Sequence, residues 1–146
     1  MALRFGRTPL IMACRTGDAS AVDALLLAES STESSTVNTA DAHGFTPLYH
    51  AAMFGHVPII ERLLDGQGEG QGRDVEGAGE SAGRADIGAA DLGGLTPLHI
   101  ACEKGRAGAA AALLAHGADA AAVDSIGRTP RDWAEAKGHA ACVALF

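Results

Sequence analysis

The side chains that could do chemistry in this chain are six histidines, three cysteines and a glycine-rich stretch. Zinc held by a helix needs two ligands four residues apart on one face, and a zinc ribbon needs a Cys-x-x-Cys pair. His43, His50, His56, His99, His116 and His139 offer no i, i+4 pair, and Cys14, Cys102 and Cys142 offer no Cys-x-x-Cys. His56 and His139 each directly follow a glycine, and His116 directly precedes one, which is the signature of a recurring structural position. A Cys–His nucleophile is disfavoured because Cys14 and Cys102 fall in one recurring slot where Ala52 also stands, a slot for a small buried side chain. The stretch GQGEGQGRDVEGAGESAGR lacks both the preceding strand and the Gly-Lys-Ser/Thr that a phosphate-cradling loop needs. The sequence therefore predicts no catalytic residue, no metal site and no cofactor.

The elements behind these recurring positions are set by four Thr-Pro pairs, Thr8-Pro9, Thr46-Pro47, Thr96-Pro97 and Thr129-Pro130. Each has a glycine two residues before its Thr (Gly6, Gly44, Gly94, Gly127) and another nine after it (Gly17, Gly55, Gly105, Gly138). A Thr hydroxyl can accept a bond from an orphan N–H of the first turn, and Pro fits that turn without loss, so Thr-Pro starts a helix. The later glycine can take the left-handed conformation that stops it. A second helix follows with its leucine pair, Leu25-Leu26, Leu63-Leu64 or Leu113-Leu114. Asp41, Asp91 and Asp124, each three residues before the leading glycine, mark a tight turn. Each unit is predicted as a turn and two short antiparallel helices.

Units begin near residues 3, 41, 91 and 124, and the third is 33 residues long. The extra residues of the first two fall after the second helix, in AESSTESSTVN and in the Gly/Glu-rich stretch. The first reads as a solvated loop. The second, about residues 66–83, has too little apolar surface to order itself and is expected to be disordered.

A 33-residue period centred on TPLHIAC resembles the ankyrin repeat. The resemblance implies an all-α repeat, an α-solenoid: a stack in which each unit is a β-turn or hairpin plus two antiparallel helices, one domain spanning residues 1–146 with repeats at about 3–40, 41–90, 91–123 and 124–146. The signature His99 is replaced by Ile11, Tyr49 and Asp132, so side-chain bonding at that position is expected in the third copy alone. The alanine-rich second helix of that copy buries little volume, and a thin junction is expected there. Arg131 and Asp132, in place of Leu98 and His99, look like a partial C-terminal cap, and the abrupt ends leave open a piece of a longer protein.

Family resemblance also implies binding through a concave face of turn tips and inner-helix ends. Mapped by register, that face carries Phe5, Phe45, Phe54, Met53, Leu92, Leu95 and Ile126, and six bases (Arg4, Arg7, Arg15, Lys104, Arg128, Lys137) against the single acid Glu103, in a chain of net charge −7. Apolar side chains where water is expected mark a binding patch; the alternative is that Phe45 and Leu95, which share a register, pack against the next hairpin. The expected function is a non-catalytic protein–protein interaction module. Phe45, Met53, Phe54, Leu92 and Leu95 are its anchors, with Arg15, Lys104, Arg128 and Lys137 as charged flanks. The partner is a protein, read as an acidic segment with apolar anchors. A regulatory or targeting segment of a larger enzyme, channel or signalling protein is the alternative.

The remaining expectations concern the setting. No Lys/Arg cluster suggests nucleic acid, no apolar run is long enough for membrane insertion, and no signal peptide is visible. An odd number of cysteines, with Cys14 and Cys102 two units apart, points to reduced thiols. The chain is expected to be a monomer, intracellular, in the cytoplasm or the nucleus.

Overall fold

The computed structural model describes residues 8–29, 39–65 and 87–146, as eight helices. In chain order they are α1 (Pro9–Thr16), α2 (Ala19–Glu29), α3 (Pro47–Phe54), α4 (Val57–Asp65), α5 (Pro97–Glu103), α6 (Ala107–Ala115), α7 (Pro130–Lys137) and α8 (Ala140–Val143). They form four antiparallel pairs stacked in two layers. α1, α3, α5 and α7 pack side by side in one, α2, α4, α6 and α8 in the other. The expectations for Leu3, Arg4, Phe5 and Arg7, for the Ser/Thr-rich loop at 30–38 and for the stretch at 66–83 lie outside the described residues.

Every first helix starts in the same way. The hydroxyls of Thr8, Thr46, Thr96 and Thr129 accept the N–H three residues on, at 3.1, 3.2, 3.3 and 3.2 Å, with Pro in the first turn. Every first helix also ends at a glycine with positive φ, as Gly17, Gly55, Gly105 and Gly138 show at 83°, 73°, 73° and 76°.

The residue after that glycine ties neighbouring units together. His56 Nε2 meets the Arg15 carbonyl at 3.3 Å, Arg106 Nε donates to the Met53 carbonyl at 3.1 Å, and His139 Nε2 meets the Glu103 carbonyl at 3.1 Å. Each acceptor lies at the end of the preceding first helix, whose last carbonyls have no partner within the helix. Register alone flagged His56 and His139; Arg106 stands in the same position.

Between the layers lies one apolar core. Leu10, Leu48 and Leu98 fill the same slot in successive units and are fully buried, as are Ile59, Ile60, Leu63 and Leu113 from the second layer. In the fourth unit the slots of Leu98, His99 and Cys102 hold Arg131, Asp132 and Glu135, all exposed. Arg131 and Glu135 pair at 3.2 Å, one turn apart on α7. The fourth second helix is also shortened, four residues against nine in α6.

The connecting hairpins are turns, and no described residue is in a strand. Each is closed by its own aspartate and by a single backbone pair to the residue four on, too short a pairing to make a ladder. Among the described residues no helix is long and apolar enough to cross a membrane.

Candidate partner-binding face

The turns of units two, three and four are built alike. Oδ1 of Asp41 accepts the N–H groups of His43 and Phe45 at 2.9 and 3.0 Å. Asp91 does the same for Gly93 and Leu95 at 2.8 and 3.0 Å, and Asp124 for Ile126 and Arg128 at 3.0 and 2.9 Å. The glycine of each turn, Gly44, Gly94 or Gly127, has φ near 83°. A side chain at Gly44 or Gly94 would also run into the backbone of the next turn, which shows how closely the tips are set.

The second carboxylate oxygen of each aspartate takes a different partner. Asp41 Oδ2 lies 3.0 Å from His50 Nε2, Asp91 Oδ2 accepts the Tyr49 hydroxyl at 2.8 Å, and Asp124 Oδ2 accepts the Trp133 indole N–H at 2.8 Å. His50 and Trp133 share a register and serve their own turn, whereas Tyr49 reaches across to the next. His99, in Tyr49's register, also reaches forward, meeting the Arg128 carbonyl at 2.9 Å, and its Nδ1 accepts the Thr96 N–H. The expectation that only the third copy bonds through this position is therefore corrected. Tyr49 is long enough to replace the histidine's forward bond, and Asp132 replaces its cap by accepting the Thr129 N–H at 3.0 Å.

These bonds set the charge state of the turns. Burial works to raise the Asp41 pKa, but the N–H of Phe45, the His50 ring and the N–H of His43 outweigh it and hold the carboxyl below its usual range. Asp124 is likewise held low against burial by the Arg128 N–H, the Trp133 indole and the Ile126 N–H. Burial, and then the Asp91 carboxylate, push the Tyr49 hydroxyl far above the usual phenol value.

The turn tips and the C-terminal ends of the first helices make up the proposed face. Leu92 is 82% exposed, Ile126 64% and Phe54 37%, while Lys104, Arg128 and Lys137 are exposed and Arg15 is half-exposed. The Arg15 guanidinium lies 5.9 Å from the centre of the Phe54 ring, and that of Arg128 lies 5.0 Å over Trp133. Phe45, Met53 and Leu95 are half-buried against the core. Phe45 stacks on Tyr49 at 4.4 Å between ring centres and meets the His50 ring edge-on at 5.5 Å, so one face of its ring is already occupied. Register counting maps all three to outward slots, with packing against the next hairpin as the alternative for Phe45 and Leu95; Phe45 folds back over Tyr49 and His50, and Leu95 and Met53 pack against the core. Trp133 was missed as a companion of Arg128 because its own register is a buried one. Val123, 56% exposed beside the fourth turn, was outside the mapped slots.

Among the described residues no three His, Cys, Asp or Glu side chains come together as a metal site. Cys14, Cys102 and Cys142 are buried and free. Burial pushes the thiols of Cys14 and Cys102 up to about 12, and it raises that of Cys142 also. They are thiols of the core.

Helix pairs stacked in register, joined by aspartate-closed turns and presenting a face of tips and helix ends, define a repeat solenoid. Family profiles described as "Ankyrin repeats (3 copies)" and "Ankyrin repeats (many copies)" match residues 1–76 and 81–134. The chain belongs to the ankyrin-repeat family, whose repeats are generally protein–protein interaction modules and typically non-catalytic. Comparison with curated proteins gives no match.

Proposed function

We propose that this chain is a non-catalytic interaction module that holds a protein partner on the turn-tip and inner-helix face. Phe54 and Leu92 are the central anchors, Phe45, Met53 and Leu95 form the floor beneath them, and Arg15, Lys104, Arg128 and Lys137 are the charged flanks. The observation that carries the reading is the company these side chains keep. Leu92, Ile126 and Phe54 stand out from the surface, Arg15 lies 5.9 Å from the Phe54 ring, and the bases mapped to the same turns and helix ends, Lys104, Arg128 and Lys137, are exposed as well, in a chain of net charge −7. Burying a side chain such as Leu92 under a partner contributes about 1.5–3 kcal/mol. The basic flanks speed the encounter with an acidic partner and fix its orientation.

The histidines support a non-catalytic role, since His56, His99 and His139 are spent on carbonyls of neighbouring units. Three buried free thiols favour a reducing, intracellular setting. The charged Arg131, Asp132 and Glu135 at the end of the stack favour a monomer, because they resist head-to-tail association.

A photo-crosslinking amino acid placed at position 92, on the tips, and in a second protein at exposed position 111, on the second-helix layer, tests the reading in cell lysate. Capture of a partner from position 92 and not from 111 is the expected result. Capture from 111 alone would place the interface on the other layer.

A further inference from the structure

Resting on that reading of the face, the structure also carries the polarity of what it binds. The carbonyl latches from Arg106 to Met53 and from His139 to Glu103 bring the ends of α3, α5 and α7 side by side. Phe54, Lys104 and Lys137, the last residues before the three helix-ending glycines, thus stand in one row with one residue per unit. A parallel row runs along the turns through Phe45, Leu95 and Arg128, each following a turn glycine. The backbone bond from Ser125 N–H to the Gly93 carbonyl, 3.0 Å long, holds the last two tips together.

Both rows change in the same direction. From unit two to unit four they pass from aromatic or apolar to basic; Arg15 of unit one already lies over the Phe54 ring, its guanidinium 5.9 Å from the ring centre and also bonded to Met12 Sδ, and Leu92 is exposed on the third turn beside Gly44. Neither Lys104 nor Lys137 has an ion-pair partner among the described residues. The one acid mapped to the described face, Glu103, is half-buried.

We propose that the ligand is an acidic, linear protein segment bound in one polarity. Its aromatic or apolar residue sits against Phe54, and its acidic residues fall one per unit on Lys104 and then Lys137. Packed helices lie about 8–10 Å apart, which sets the interval between the acids. An extended segment advances about 3.3 Å per residue and meets that interval every third residue. A helical one advances about 1.5 Å per residue and returns to the same face every seventh, about 10.5 Å on, close to the upper end of that interval and within the reach of a lysine side chain. The acid farther from the anchor belongs to Lys137 in either case.

The test is selection of random 16-residue peptides on the 146-residue chain, followed by affinity measurements on the selected peptides. The selected peptides are expected to carry one aromatic or large apolar residue and two acids at equal intervals of three or of seven on one side of it. Lys137→Glu is expected to weaken binding about fivefold or more, as reversing an exposed ion pair allows. Lysine in place of the anchor-distal acid restores it, whereas lysine in place of the nearer acid restores binding to Lys104→Glu. Rescue in the opposite pairing, or acids at unrelated intervals, overturns the polarity while loss of binding in Phe54→Ala leaves the face itself standing. Binding indifferent to Phe54→Ala, Lys104→Glu and Lys137→Glu overturns the face and the polarity together. Failure to select any acidic peptide overturns the linear-segment proposal, and crosslinking at position 92 then judges the face separately.

Discussion

At the scale of single residues, the turn aspartates connect stability to the proposed binding face, because the atoms that close each turn also hold its exposed tip in place. In Asp124→Asn the amide oxygen can still accept from Ile126 and Arg128, but its NH2 group faces the Trp133 indole N–H, and two donors oppose each other. Leaving a buried donor unsatisfied costs about 1–3 kcal/mol. Trp133 is the only tryptophan, so a lowered urea midpoint should come with a shift in its emission. pH provides a second readout of the same group. The folded pKa of Asp124 lies below the ordinary 3.8, so below that value the unfolded chain binds more protons than the folded one. This contribution is complete above about pH 4 and is lost as pH falls through the folded pKa. The wild type is therefore expected to lose more stability between pH 6 and pH 3 than Asp124→Asn does; equal losses would mean that Asp124 does not titrate as the turn geometry requires.

At the scale of elements, the helix-ending glycines allow a controlled comparison. Gly105 and Gly138 both have positive φ, and alanine at either pays about 1–2 kcal/mol for the left-handed conformation. A methyl group at Gly105 would also come within 2.7 Å of the His139 ring and push it off the Glu103 carbonyl, whereas at Gly138 it meets nothing within 4 Å. Gly105→Ala is expected to lower the thermal midpoint more than Gly138→Ala, and equal shifts would show that the latch from His139 contributes nothing. These elements were legible in the sequence because each depends on a local rule. Thr-Pro, the trailing glycine and the Asp-x-x-Gly turn act within a few residues and recur in register. The ties between units were not legible. Tyr49 reaching Asp91, and Arg106 replacing a histidine at the Met53 carbonyl, depend on side-chain length and on the distance between stacked units. For the same reason counting alone did not decide between water and packing for Phe45 and Leu95, which pack against the core, while Leu92 and Ile126, at the very tips, stand out from the surface as counting placed them.

At the scale of the whole molecule, the proposed face carries the exposed Leu92, Ile126 and Phe54 with Lys104, Arg128 and Lys137 in a chain of net charge −7. Units in a repeat stack contribute to stability through their own packing and their nearest neighbours, so changes at exposed tips are expected to leave folding intact. That separation makes binding the decisive test. The direct measurement is the affinity of the partner captured from position 92 for three chains: wild type, Phe54→Ala and Ala111→Glu, each first shown to unfold at a comparable urea concentration. A loss of more than about 1 kcal/mol in Phe54→Ala, roughly fivefold or more in Kd, with Ala111→Glu unchanged, is the predicted result. Unchanged affinity in Phe54→Ala together with weakened binding in Ala111→Glu would contradict the assignment and move the interface to the second-helix layer.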